Sequence, residues 1–551
     1  MNRLVAALSI LLLSGCATLP TEIDIKSGPE LVAPEQNELS YYTPTGPTEG
    51  ASSQEIVSGF LAAGTGPQND YAVARQYLTA EFAQRWNPES GVVIRTGVPV
   101  FQASGDTLQT VEIGVGARVD EQGRYVDAEA GERTSLRFQL VKESGEWRIA
   151  SAPNLTVVTS PVFSVVFSAF PVYFLDSNQS KLVPDLRWFP TRASTGTKLV
   201  NALLAGPSDW LAEAVTTAVP DGTKLTIDAV SVEQGVAKVD FDSTALDASA
   251  IERRLMLTQL RSTLLQLAGV IDVSVSINSS PQEIVPTQLQ SAISGGPVFI
   301  TRDSGVYRVN AGDSAPLGGT SNFLATNEIS KFAVTSGGNR VAFATEKGVF
   351  ETTTSGVNLR STKISEHKGL VELFYDDWGY LWLIPSDFNE PLTVISVQGE
   401  SRNLTDGAYS NRLGYRISSE GVRVARILES ENGSEVSVHG VMRDSRGWPI
   451  RLVGDLSINN VLGDAIAITW QQNSSLRVLE RTTSGLTALS DYPVTGPRSQ
   501  LTMPPVPGSE ITEGPSGLST YMFTDQTEVW VLTGTAWRRL TTGVLAVSTD
   551  G

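Results

Sequence analysis

The sequence predicts a multidomain chain in which two α+β units precede an all-β propeller. Three observations carry that reading. At 551 residues the chain is longer than one hydrophobic core serves. In each of the first two units apolar residues recur at helical spacing next to runs that alternate with a period of two. From Gly295 onward helical periodicity almost vanishes, and short β-rich runs separated by Gly, Ser, Asp and Asn turns recur every 40–50 residues or so. A composition of 41% apolar and 18% charged residues is that of folded protein.

The first residues set the compartment. Met1, Asn2 and Arg3 form a cationic head, Leu4–Leu13 an apolar run, and Leu13-Ser14-Gly15-Cys16 follows. The run is too short to span a bilayer, which takes about 20 apolar residues, but has the length of an export-signal core. Leu13–Cys16 resembles a lipobox. Residues 1–15 are therefore expected to be a signal peptide that is removed, and Cys16 the lipidation site, with an S-diacylglyceryl group on its thiol and an N-acyl group on its new amine. That places the protein on the extracytoplasmic face of the cell membrane, lipid-anchored. Cys16 is the only cysteine, so no internal disulfide can form and buried apolar surface has to supply stability. Residues 16–53, rich in Pro, Glu, Thr, Ser and Gly without sustained periodicity, read as a flexible tether.

The first folded unit is placed at 54–160. Ile56, Val57, Phe60 and Leu61 recur at helical spacing, and a second helical stretch is expected over Tyr71–Trp86 with Val73, Tyr77, Leu78 and Phe82 on one side. Thr110–Val115 and Ser135–Val141 then alternate as strands, and Gly145-Glu146-Trp147-Arg148-Ile149 follows a tight turn. Helices leading into a curved sheet in this order resemble the NTF2-like cone, a fold that often holds a pocket.

The second unit is placed at 161–295. Val162–Phe167 and Pro171–Leu175 read as strands, followed by Leu186-Arg187-Trp188-Phe189-Pro190 and a helix over Thr197–Leu204 that stops at Gly206-Pro207. Lys224–Val232 and Val236–Phe241 read as a strand pair turning at Glu233-Gln234-Gly235; a long helix over Ala250–Leu267 and the strand Val273–Ile277 complete the unit. This order, with Leu203–Pro207, Val219-Pro220-Asp221-Gly222-Thr223 and the Gln259–Leu267 helix, resembles a GerMN domain. Such motifs specify turns and core rather than chemistry.

The third unit is placed at 296–551. Six similar segments stand out: Val298–Val309, Ile329–Thr353, Leu370–Val397, Gly414–Met442, Ala465–Ser490 and Leu518–Ser548. Their spacing is that of a four-stranded propeller blade, which gives six blades, with seven left open; paired β-sandwiches would alternate in the same way but at another spacing. The terminal strands near Tyr521–Gly551 would complete a blade begun near Val298.

Charge and motifs then limit the chemistry. Lys plus Arg total 41 against 59 Asp plus Glu, a net of −18, which argues against a nucleic-acid partner and against a body lying flat on anionic lipid. His367 and His439 are the only histidines and neither has metal-ligand spacing, so no metal and no cofactor is expected. Asp376-Asp377 form an adjacent acid pair, which before Trp-Gly reads as a solvated blade turn rather than as catalytic carboxylates. Gly114-Val115-Gly116 lacks a third glycine and lies within a strand, so it is no nucleotide fingerprint. The Asn-x-Ser/Thr sites at Asn154, Asn178, Asn278, Asn403, Asn432 and Asn473 mean little beside a bacterial lipobox. No residue is assigned a catalytic role, and no enzyme activity is expected.

Taken in order, the lipobox, tether, cone-like unit, GerMN-like unit and propeller resemble the actinobacterial lipoprotein LpqB family over nearly the whole chain; Asp70-Tyr71-Ala72-Val73-Ala74-Arg75-Gln76-Tyr77-Leu78-Thr79 adds to the likeness. The resemblance implies an accessory protein of a two-component system, one that binds the extracellular domain of an MtrB-like sensor histidine kinase and so modulates MtrA-type signalling in envelope and cell-division control. The alternatives are a cell-envelope ligand-binding module using the cone pocket or GerMN groove, and an envelope enzyme using the propeller mouth.

Overall fold

The computed structural model describes residues 44–551 apart from 68, 290–294, 311–312, 356–360, 432, 460 and 550–551. The signal peptide, Cys16, most of the tether and Asn432 lie outside the described residues.

The first domain begins with a helix whose N-terminus is sealed by its own sequence. Ser52 caps Ser53–Ala63, accepting from the Glu55 amide while Glu55 accepts from the Ser52 amide, so two otherwise orphaned donors are satisfied. Its apolar stripe of Ile56, Val57, Phe60 and Ala63 is buried. The single helix expected over Tyr71–Trp86 is instead two short ones, Ala72–Arg75 and Ala80–Arg85. Between them Leu78 bridges to Ile149, and the Thr79 amide donates to the Ile149 carbonyl at 2.9 Å, so pairing with the sheet wins over helix continuity. Thr79 then caps the next helix by accepting from Phe82. These helices pack on a six-stranded sheet, with Phe60 against Trp86 (4.9 Å between centroids) and Phe138 (6.1 Å). Strict alternation along Leu108–Asp120 buries every second side chain and puts Val111, Ile113 and Val115 into that core. Thr156–Thr159 closes the sheet by pairing in parallel with Gly91–Ala103.

In the second domain, Val162–Phe167, expected as strand, is helix over Ser160–Val166, with Pro161 in the first turn where its missing N–H is harmless. The strand Phe167–Asp176 follows and pairs with Leu182–Pro190. Lys224–Val232 forms a strand only at its end, Ser231–Glu233; upstream, the Val230 amide donates to the Thr197 hydroxyl of the helix Thr195–Leu204 rather than to a sheet. Val236–Phe241 and Asp272–Ile277 pair in parallel around the helix Ala250–Leu264, which Ser249 and Glu252 cap as Ser52 and Glu55 do the first. Gln259 is fully buried in that helix, donating to the Tyr173 carbonyl (2.9 Å) and accepting from the Ala218 amide (2.8 Å), which pins the helix to both flanking segments.

Six four-stranded antiparallel sheets follow among the described residues, and their innermost strands touch in succession around a closed ring. Ala546–Thr549 is the innermost strand of the first blade, pairing with Val298–Arg302, so the chain's end locks to the propeller's beginning. The segment Leu518–Ser548 therefore belongs to two blades, the sixth ending at Thr541. Radial repetition leaves only short edges, one at the outer strand of each blade.

From Gly46 onward the three domains form one compact unit. Their meeting point is Trp188. Its ring lies against Phe163 (5.2 Å) and Tyr125 (6.1 Å), its backbone amide donates to the Gly123 carbonyl of the first domain (2.8 Å), and its indole N–H donates to the Thr495 carbonyl of the fifth blade (2.8 Å). Trp188→Ala should cost about 3–5 kcal/mol, the usual range for a buried Trp. Calorimetry is expected to show one unfolding transition for the wild type and separate, domain-wise transitions for the variant; one unchanged transition would disprove this role.

Candidate functional site

The second domain sits on the propeller face formed by hairpin turns of blades three to five, and one turn chemistry recurs there. In Asp376–Tyr380, Asp376 accepts through Oδ1 from the Trp378 (3.0 Å) and Tyr380 (2.9 Å) amides. Its other oxygen accepts from the Trp382 indole (2.8 Å) and from Arg443 (2.7 Å) of the fourth blade. Arg443 also donates to the Gly421 (2.9 Å) and Gly447 (2.8 Å) carbonyls, tying three turns together, and both side chains of the pair are buried. Asp376 is thus not the solvated turn residue that the sequence suggests; it is buried and fully hydrogen-bonded. Asp377, its neighbour, points the other way and pairs with Lys181 of the second domain. The Trp378 ring lies between two cations, Lys181 at 5.5 Å and Arg443 at 5.3 Å.

Lys181 arrives there through the same kind of turn. Asp176 accepts from the Ser180 (2.6 Å) and Lys181 (2.7 Å) amides and so fixes the hairpin that carries the lysine. One blade further, Arg423 stacks on Trp470 (4.6 Å), pairs with buried Glu420, and donates to the Asn473 (2.6 Å) and Pro184 (3.4 Å) carbonyls. An apolar patch of Val183, Leu211, Ala214, Val422 and Val453 fills the space behind these polar contacts.

Where the two domains diverge, a cleft of about 460 Å³ opens between the second domain and the turn after Trp470. Tyr173, Leu182 and Ser262 line one side and Gln472, Asn473 and Ser474 the other. Burial pushes the Tyr173 hydroxyl above the ordinary tyrosine pKa, partly opposed by Arg423.

The propeller axis is lined by charges of alternating sign on the innermost strands. Lys331 pairs with Glu510 at 2.7 Å and Arg416 pairs with Glu372. Burial disfavours the charge on both cations, but Glu372 and Glu510 outweigh it and hold both pKa values above their ordinary positions. The ring is self-neutralising.

His367 contacts the Ser365 (2.8 Å) and Thr393 (3.3 Å) hydroxyls, and His439 the Ser437 hydroxyl (3.0 Å) and the Gly454 carbonyl (2.6 Å). Burial and Arg426 lower the His439 pKa. Neither joins a cluster of metal-ligating side chains among the described residues. Sequence reasoning singled out Asp376 and Asp377 but missed Lys181, Arg423 and Tyr173, whose partners lie far away in the chain. Lys181, for instance, is 196 positions from Asp377.

Three family models match the chain in order: "Lipoprotein LpqB, N-terminal domain" over residues 46–164, "Sporulation and spore germination" over 171–283, and "Lipoprotein LpqB beta-propeller domain" over 304–547. A lipoprotein LpqB of Cutibacterium acnes is 31% identical over 285 residues, covering 51% of this chain and 47% of that protein, so the match spans about half its length. Another from Bifidobacterium longum is 26% identical over 463 residues, covering 78% of this chain and 77% of the relative. Likeness to solved structures is weak: TolB from Acinetobacter baumannii aligns with a TM-score of 0.36 at 11% identity, over 46% of this chain and 66% of that one.

Two predictions follow from these ion pairs. Asp376→Ala removes a carboxylate buried together with Arg443 and strands that charge in the interior, which should cost about 3–5 kcal/mol, whereas Asp377→Ala removes a carboxylate that is 36% exposed and leaves Lys181, 5% exposed, against the Trp378 ring, which should cost less, about 1–3 kcal/mol. Urea titrations of both variants test the ordering. Glu513, buried with one carboxylate oxygen unpartnered, has its pKa pushed up to about 7 by burial, against the opposing pull of Arg477 and Thr520. Because the folded value lies above the ordinary one of 4.5, the folded state binds more protons between the two. Stability should therefore fall as pH rises through about 5 to 7, and Glu513→Gln should flatten that decline in thermal unfolding measured from pH 5 to 8.

Proposed function

This chain belongs to the lipoprotein LpqB family, and from that premise we propose that it is a lipid-anchored extracytoplasmic protein that binds the extracellular domain of an MtrB-like sensor kinase and so modulates MtrA-type signalling. The observation that carries this reading is the joining of three domains into one body through Trp188 and the Asp376–Arg443 turns. Such a body can present the same outer faces each time it meets a partner, and it needs little reordering on binding. The acidic residues of the turn face are engaged within the fold, which favours a binding role over turnover.

Anchoring supplies the rest of the mechanism. A protein held at the membrane by Cys16 meets a membrane-embedded kinase at high effective concentration, so a modest interface is well occupied. If it binds one kinase conformation more tightly than the other, it shifts the kinase equilibrium by that difference in affinity.

Two measurements test this. Crosslinking of the lipidated protein in its native membrane, followed by mass spectrometry, should recover a sensor-kinase ectodomain; recovery of wall or transport components alone would reject the kinase reading. Cys16→Ala should abolish lipidation and release a folded protein from the membrane fraction. Retention of a lipidated form in that variant would contradict the anchor.

A further inference from the structure

The cleft between the second domain and the fifth blade plays no part in the kinase reading, and its walls define what it can hold. Its volume of about 460 Å³ falls within the range of about 300–1,000 Å³ typical of small-molecule sites. Among the described residues no Asp, Glu, Lys, Arg or His lines it. Arg423 lies behind the wall, but its guanidinium is engaged by Glu420 and by the Asn473 and Pro184 carbonyls. A charged ligand would lose its hydration there without finding an opposite charge, so the occupant is neutral.

It is not hydrocarbon either. The Tyr173 hydroxyl, the Ser262 hydroxyl and the Gln472 side-chain amide face the cleft without hydrogen-bond partners among the described residues. They supply donors and acceptors of the uncharged kind. Beside them the Tyr173 ring and the ring of Pro171 provide flat apolar surface. Flat apolar faces interleaved with neutral hydrogen-bonding groups match a pyranose ring, whose C–H faces are apolar and whose rim carries hydroxyls or acetamides. The lip of the cleft points the same way. Gln472 has φ 47° and Asn473 φ 60°, both left-handed. Glycine adopts that conformation freely and glutamine does not, so a long amide side chain is held at the cleft mouth against backbone preference.

We propose that this cleft binds a neutral saccharide of one or two pyranose rings, with the Tyr173 ring as its platform and the Tyr173 hydroxyl, Gln472 and Ser262 as its hydrogen-bonding groups. This assignment is independent of any kinase contact, since loss of a kinase crosslink would leave saccharide binding untouched. The full-length lipidated chain in detergent micelles would be titrated with di-N-acetylchitobiose and with cellobiose, followed by calorimetry and saturation-transfer NMR. Saturable binding of at least one is expected. Tyr173→Phe and Gln472→Gly should each weaken it about tenfold or more, a difference readily read as a shift in Kd, while Gln472→Gly leaves the unfolding midpoint unchanged or raises it. Gln472→Asn, an amide suited to the left-handed turn, should recover part of the loss. The proposal is overturned if neither saccharide binds saturably, if binding is indifferent to all three variants, or if a capped neutral tripeptide saturates the cleft in their place.

Discussion

The arrangement of this molecule depends on Trp188. A chain whose single cysteine cannot form an internal disulfide has to join its domains by burial and hydrogen bonding, and one side chain touches all three. Its indole N–H would be costly to bury unpaired, so the Thr495 carbonyl fixes the angle at which the strand Leu182–Pro190 meets the fifth blade. The same strand lies at the edge of its sheet, and its remaining polar groups are covered from outside. Gly123 accepts from the Trp188 amide, Arg423 donates to Pro184 and the Thr495 hydroxyl donates to Leu186. Domain docking and edge protection are therefore one event.

A second regularity runs through all three domains. Asp120, Asp176, Asp376 and Asp444 each open a hairpin turn by accepting from amides two and four, or four and five, positions later. Each leaves a left-handed residue near the turn's end: Gly123, Gln179, Gly379 and Gly447. Gly123 has a further reason to be glycine, because a Cβ there would come within 2.6 Å of the Phe189 ring. Turns satisfied by their own carboxylates keep their backbone shape when removed from water, which allows them to be buried at domain junctions. Arg443 extends this economy by binding two turn carbonyls and the Asp376 carboxylate at once.

Local signals made the architecture legible, while long-range pairing hid the site. The period-two alternation of Leu108–Asp120 and the repeat spacing beyond Gly295 are short-range properties, and the propeller with its closure near Val298 could be read from them. Tyr71–Trp86 misled because helical spacing was satisfied while the Ile149 strand competed for the Leu78–Thr79 backbone. Val162–Phe167 is β-branched and aromatic enough to suggest a strand, yet Pro161 starts a helix whose Phe163 is needed against Trp188. Asp376-Asp377 looked exposed because adjacent carboxylates usually are; only the fold brings Arg443 and Lys181 to opposite sides of the pair. The cleft left no trace in sequence, since its walls come from segments about 300 residues apart whose residues are individually unremarkable there.

The charge distribution follows from these pairings. Arg187 with Asp185, Arg412 with Asp406, Arg423 with Glu420 and Arg443 with Asp376 are buried one to one, so these interior pairs add nothing to the net charge, while Arg477 is shared by Asp491 and Glu513. Lys331, Glu372, Arg416 and Glu510 cancel along the propeller axis. The net of −18 therefore lies on groups outside these pairs, and most of the described ones are at the surface. Such a surface is repelled by anionic lipid heads, but over a Debye length of only about 8 Å at physiological ionic strength. A body tethered near a membrane would then be kept from lying on it without being kept from a neutral or basic protein face beside it. The interior neutrality that builds the domain junction thus also sets the surface field against which any partner has to bind.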